Sequence, residues 1–372
     1  MKSNYLSIGT TLVLLAMQPA AADVTIEQTL DITAPGALSL AAMEGKTRTA
    51  IAGDKSRTDN DLKFKSGLMQ RFGGDAGQAT DIVRLDEGLI YHVNHKERNY
   101  QATSFDALKA QTEQAVEQLE QSGGGSDAGA TGGQTELPVS EDQCEWSETV
   151  VDVERSGERR RIAGIEAEQT RVTATRTCRD RETGKACDLK WTMENWLAPD
   201  VPGSAETTEF WQAYASKLGL QDVVGNPGTP GMAALFSQYE AGWDEIEANA
   251  DELEGYPLRT VMALDIGGDE CTTTEGEPLS ADAVFGDAMQ DAAAHGVAES
   301  VGGSVGGALA KGLLGAFGKK KEQPEPAPAD AAGTGSVTLF KVVTETTSID
   351  TESVPDNQFT VPEGYTEASV SP

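Results

Sequence analysis

The sequence predicts an α+β fold: a curved antiparallel sheet, or half-barrel, with helices packed on its concave face. Three observations predict it. Short runs of alternating apolar and polar residues recur along the chain with turn residues between them. Two later segments carry large apolar side chains at helical spacing, and such stripes need a sheet to bury them. Four cysteines follow a leader-like N-terminus, an even count that suits two disulfides in an oxidising compartment.

Residues 1–22 read as a secretory signal peptide. Met1 and Lys2 give a positive start, residues 8–17 are uncharged and apolar, and Ala20 and Ala22 supply small residues before Asp23. The apolar run is too short for a mature membrane span. No cysteine sits near the cleavage point, which argues against a lipid anchor. The expected location is the periplasm, with secretion as second choice.

Residues 24–32 alternate as an amphipathic strand, and 46–52 and 57–64 follow with Gly53-Asp54 as the turn. Short strands at 80–84, 88–93 and 99–103 extend the meander. Ser104 is placed to cap a helix from 105 to about 121, with Phe105, Leu108, Ala115, Val116 and Leu119 as its apolar face. Residues 122–140 form a Gly/Ser-rich linker. Strands resume at 146–153, 161–177 and 188–197. Ser204 is the expected cap of a helix over 205–218, which Gly219 stops. Pro230 opens a second helix over 230–254, and strands follow at 256–266 and 337–349. The organisation is thus a leader (1–22), an N-terminal part of the half-barrel (23–121), the linker (122–140), central strands and helices (141–274), a Gly-rich and Pro/Ala-rich insertion (275–334) and a C-terminal strand and tail (335–372).

The 372-residue chain carries 29 Lys and Arg against 60 Asp and Glu, a net charge of −31. That field repels nucleic acid and anionic membranes as general partners, and it favours solubility. Four cysteines allow three pairings. Local geometry favours Cys178–Cys187 across a hairpin turning at 182–184, which leaves Cys144–Cys271 by elimination.

Motif chemistry is sparse. Gly302-Gly303-Ser304-Val305-Gly306 matches G-x-S-x-G, but no strand precedes the serine as a nucleophile elbow requires. His92 and His95 lie three apart on a strand and therefore face opposite sides, so they do not share a metal; His295 is remote. Asp54, Asp59 and Asp61 lack the register of a calcium loop. Gly318-Lys319 is followed by lysine and is no phosphate loop. Neither a metal nor a cofactor is expected.

The segment 296–318 is unusual. Val297, Val301, Val305, Leu309, Leu313 and Phe317 repeat every four residues, while Gly302 and Gly306 belong to a small-residue stripe. As a helix it would reach roughly 34 Å. Glu299 and Lys311 interrupt the apolar run, and a crossing would strand the last β-strand on the wrong side of the membrane. The alternatives are a flexible loop and an amphipathic helix that lies on a membrane surface or self-associates.

Several stretches occur together in order: 84–91, 96–100, Arg161-Ile162-Ala163-Gly164-Ile165-Glu166-Ala167, Trp196-Leu197-Ala198-Pro199-Asp200-Val201-Pro202-Gly203, Gly255-Tyr256-Pro257-Leu258 and the ending Phe359-Thr360-Val361-Pro362-Glu363-Gly364-Tyr365. In these the chain resembles an uncharacterised family of exported bacterial proteins related to the LolA/LppX lipoprotein-carrier fold. The resemblance implies a half-barrel enclosing an apolar cavity, and it implies no catalytic residues. The resulting expectation is a non-enzymatic protein that binds a lipid acyl chain or another apolar ligand. Trp191, Trp196, Phe210, Trp211, Leu235 and Phe236 are the expected lining. The competing expectation is a structural or envelope-interaction protein acting through residues 296–318.

Overall fold

The computed structural model describes residues 23–35, 39, 42–72, 78–110, 144–219, 253–268, 270–271 and 336–368. In chain order its elements are β1 (Val24–Thr33), β2 (Met43–Ala52), β3 (Lys55–Phe64), α1 (Gly67–Phe72), β4 (Gln78–Arg84), β5 (Leu89–Asn94) and β6 (Asn99–Ser104). The helical residues 105–110 are α2. Then come β7 (Cys144–Trp146), β8 (Val150–Ile162), β9 (Ile165–Asp180), β10 (Ala186–Ala198), α3 (Ser204–Leu218), β11 (Tyr256–Gly267), β12 (Ser336–Asp350), a 3-10 turn (Asp356–Phe359) and β13 (Thr366–Glu367).

The described strands form one open, curved sheet in the order β13-β6-β5-β4-β3-β2-β1-β12-β11-β10-β9-β7, with β8 also paired to β9. All pairs are antiparallel except β13 with β6. The predicted meander and the strands at 188–197, 256–266 and 337–349 are therefore present. β12 joins the two halves by inserting between β1 and β11, a pairing that spans most of the chain.

Register assigns the two faces, because residues opposed across antiparallel strands share a side. Val24 opposes Ile51, Ile51 opposes Ser56, and Ser56 opposes Val83. Phe210 and Leu218 of α3 and Phe105 of α2 pack on Val24, Ile26, Ile51 and Val83, so this is the helix-bearing face. On the other face, Ala50, Ile82 and Val93 lie under Val354 and the wholly buried Phe359. The chain after β12 thus straps the second face. Lys55 pairs with Asp356 at 2.8 Å, Arg57 Nη1 donates to the Gln358 carbonyl at 3.1 Å, and β13 adds to the β6 edge.

Local chemistry explains the helix ends. Ser104 Oγ accepts the Ala107 N–H at 3.1 Å, which is the predicted cap of α2. For α3 the capping residue is Gly203, not Ser204, and no side chain caps it. Gly203 has φ 75°, and a Cβ there would come within 2.5 Å of Val24 Cγ2, so the turn onto the sheet admits only glycine. Gly219 ends the helix in the left-handed conformation, as expected.

Three expectations need correction. Residues 161–177 are not one strand: the chain turns at Ala163 (φ 48°) and Gly164 (φ 83°), and β8 and β9 form a hairpin around them. The 146–153 strand is two pieces, β7 and the start of β8, both on the same edge of β9. The disulfides are Cys144–Cys178 and Cys187–Cys271, not Cys178–Cys187 and Cys144–Cys271. β7 brings Cys144 to 5.3 Å from Cys178 (Cα–Cα), and the turn after β11 brings Cys271 to 4.7 Å from Cys187. Both separations suit a disulfide. α1 was not anticipated. The linker, the segment 296–318 and residues 230–252 of the helix expected over 230–254 lie outside the described residues, and residues 253–254 are not α-helical.

Candidate binding face of the sheet

The helix-bearing face has two parts. Around β1, β2 and β4 it is covered by α3, whose Phe210, Trp211 and Tyr214 interlock edge to face, with centroids 5.3 Å apart in each successive pair. Farther along, Ile32 lies on the same side of β1 as Val24 and opposes Val342 of β12. From there the row Val342, Met262, Met193, Val172 runs across β12, β11, β10 and β9. The next row is Phe340, Leu264, Trp191, Ala174. Ala174, Trp191 and Met262 are buried and cluster with the partly buried Val151, Met193, Leu264, Phe340 and Val342. Every described member of this cluster is a strand residue. Trp191 and Phe340 meet edge to face at 5.6 Å.

A polar band separates the two apolar areas. Thr344, Thr260, Asn195 and Thr170 form one row, and Thr260 Oγ1 donates to Asn195 Oδ1 at 2.9 Å. Gln28 Nε2 donates to Thr346 Oγ1 at 3.3 Å, and Thr49 bonds Thr58 at 3.1 Å. Asn195, Thr170 and Thr346 are at most 2 % exposed. Buried polar atoms of this kind must be hydrogen-bonded to be tolerated. The band ends on β4 and β5, where His92 Nδ1 lies 2.6 Å from Asp81 Oδ1 and Asn60 Nδ2 donates to Asp81 Oδ2 at 3.3 Å. The hydrogen bond to Asp81 raises the His92 pKa above its ordinary value, against the opposing effect of burial. Burial first, and the Asp81 charge second, raise the Tyr214 phenol.

The opposite face of β9–β12 carries ions. Glu194 accepts from Trp196 Nε1 at 3.0 Å and pairs with Arg259 at 3.1 Å and Arg171 at 3.5 Å. Arg259 in turn reaches Glu345 at 3.0 Å, as does Arg160 at 3.3 Å. Burial alone would raise the Glu194 pKa, but Trp196, Gln169, Arg259 and Arg171 together hold it below the usual carboxylate range. These contacts stitch five strands, β8 to β12, together.

The expected lining residues do not share one cluster. Trp191 belongs to the strand-only cluster. Trp196 is buried with Ile162, Ala167, Ala198, Val201 and Leu258. Phe210 and Trp211 pack α3 onto β1 and β2. Leu235 and Phe236 lie outside the described residues, as do Val297, Val301, Gly302, Val305, Gly306, Leu309, Leu313 and Phe317. The two histidines do face opposite ways. His92 is on the helix-bearing face, whereas His95 contacts Thr80 at 2.7 Å and Tyr365 at 2.8 Å under the strap. Asp59 bonds Arg57 and Thr80. Burial works against it, but these bonds hold its carboxyl below the usual range. Among the described residues, no group of His, Cys, Asp or Glu is arranged to hold a metal, and no helix is long and apolar enough to cross a membrane. The polar band escaped sequence reading because threonine suits either face of a strand equally well.

Comparison of the chain with protein-family models, curated proteins and solved structures gives no match. The two disulfides accord with folding in an oxidising compartment outside the cytoplasm.

Proposed function

We propose that this protein is an exported, non-enzymatic carrier or sensor that binds a lipid acyl chain or a similar apolar ligand on the helix-bearing face, with the sheet acting as a LolA-like half-barrel. One observation carries the reading. The apolar cluster of Val151, Ala174, Trp191, Met193, Met262, Leu264, Phe340 and Val342 spans five strands and draws every described member from the sheet. Apolar area covered by a ligand there contributes roughly 25 cal/mol per Å². Binding is therefore driven by burial, and the polar band fixes how far an apolar chain extends across the sheet.

The test uses Met193→Asp and Val342→Asp, which place a charge on the cluster, beside Thr192→Asp, whose side chain projects from the other face. Uptake of a fluorescent fatty acyl probe should fall at least tenfold in the first two and stay near wild type in the third, with thermal unfolding followed in parallel. Equal uptake in all folded variants contradicts the reading.

A further inference from the structure

Beyond the row Phe340, Leu264, Trp191, Ala174 the strand register sets one more row on the helix-bearing face: Val337, Ile266, Leu189 and Arg176. Leu189 and Ile266 are buried there, and Leu264 and Phe340 of the preceding row pack against them, so the apolar surface continues into this row. Among the four successive rows that start at Thr344, Val342, Phe340 and Val337 on β12, Arg176 is the only charged residue. An uncharged polar row thus bounds the apolar surface at one end, and a single cation stands at the opposite corner.

Arg176 is held in position. Its guanidinium carbon lies over the Trp146 ring, 4.9 Å from the centroid, and its Nε donates to the Ser147 carbonyl at 3.2 Å. Trp146 opposes Cys178, two residues farther along β9, and the Cys144–Cys178 disulfide fastens β7 there. These contacts use one side of the guanidinium plane and one of its five N–H donors. The N–H groups of Nη1 and Nη2 bond no described residue, and no described carboxylate pairs with them. Arg171 and Arg259, on the opposite face of the same strands, are both paired with Glu194. Arg176 differs from them although the chain holds 60 Asp and Glu against 29 Lys and Arg.

The register gives the scale. Val342 lies three inter-strand steps across from Arg176 and four residues along the strands, a diagonal of roughly 20 Å. That is the length scale of one long acyl chain with its head at Arg176. The end of a guanidinium fork matches two coplanar oxygens. Trp146 fills one side of the guanidinium plane, which suits a planar carboxylate better than a tetrahedral phosphodiester with two ester arms.

We propose that Arg176 is the head-group subsite of the ligand, and that the ligand is a free long-chain fatty acid whose carboxylate accepts from Nη1 and Nη2 while its chain lies over Ala174 and Trp191 towards Val342. This rests on the acyl-binding reading above. Trp146 and the Ser147 carbonyl are positioning groups that hold the fork at the corner of the apolar surface.

The experiment offers the disulfide-bonded protein hexadecanoic acid, its methyl ester and a glycerol phospholipid with hexadecanoyl chains, each separately, and reads bound lipid by native mass spectrometry. The wild type should bind the acid about tenfold more tightly than the ester, the scale of one charge-assisted contact, and more tightly than the phospholipid. Arg176→Gln should bring acid and ester to within about twofold of each other by weakening the acid and leaving the ester unchanged. Arg176→Lys provides a second variant should Arg176→Gln fail to fold; it keeps the charge without the fork and should lower the preference severalfold. Equal binding of acid and ester by the wild type, tighter binding of the phospholipid than of the acid, or an unchanged preference in the folded variants overturns the head-group subsite alone. Failure of acid, ester and phospholipid all to bind overturns the acyl reading and this inference together.

Discussion

Cys178 and Cys187 oppose each other in register across β9 and β10, yet each is bonded to a residue from elsewhere in the chain. Cys178 ties β7 to β9, and Cys187 ties the turn after β11 to β10. Together the two bonds fasten the ends of four strands at one corner of the sheet. They close loops of 34 and 84 residues, so chain entropy assigns them about 4 and 4.5 kcal/mol respectively.

Peptide mapping without reduction should recover only the 144–178 and 187–271 links from native protein. Replacing Cys187 and Cys271 together by alanine should cost about 3–5 kcal/mol in denaturant unfolding. Refolding from the reduced state should transiently yield a 178–187 link, because the hairpin places those two cysteines side by side before β7 and β11 arrive.

The C-terminal strap is expected to be part of the fold and not an ornament. Phe359 is wholly buried against Ala50, Ile82 and Val93, so Phe359→Ala should cost about 3–5 kcal/mol. Tyr365→Phe removes only the bond to His95 and should cost about 1 kcal/mol. Unfolding midpoints measured in denaturant separate the two values.

Stability should depend on pH through His92. Its folded-state pKa is raised, chiefly by the bond to Asp81, so folding favours the protonated ring. The contribution is fully present below the unfolded value of about 6.5 and is lost as pH rises through the higher folded value. Urea midpoints should therefore fall across that interval in the wild type and fall less in His92→Gln. An identical slope in the two proteins contradicts this assignment.

Gly203→Ala should be strongly destabilising although the side chain added is a single methyl. The backbone is left-handed there and Val24 occupies the space a Cβ would need. Ser204→Ala should be nearly silent by comparison, since no side-chain cap bond is made. Thermal midpoints of the two variants check the contrast.

Much of the sheet is legible in the residues themselves. β1 alternates cleanly, and Gly53-Asp54 marks the turn between β2 and β3, so local pattern and tertiary structure agree there. The β8–β9 hairpin is hidden because Ala163-Gly164 lacks the Asn-Gly or Asp-Gly signature of a two-residue turn. β8 itself hardly alternates: from Glu154 to Arg161 it is exposed on both sides as an edge strand. The cysteine pairing depends on where β7 and the β11 turn dock, which no local pattern encodes. Trp191, Trp196 and Phe210 of the expected lining are buried, but burial does not distinguish Phe210, which seats a helix, from Trp191, whose described cluster neighbours are all strand residues.

The central claim is that the helix-bearing face takes up an apolar chain, and the most direct measurement is the native mass of the disulfide-bonded protein purified without detergent. The account predicts a reproducible adduct of lipid mass that organic solvent removes and that Met193→Asp abolishes. A bare mass before and after exposure to phospholipid vesicles would contradict it.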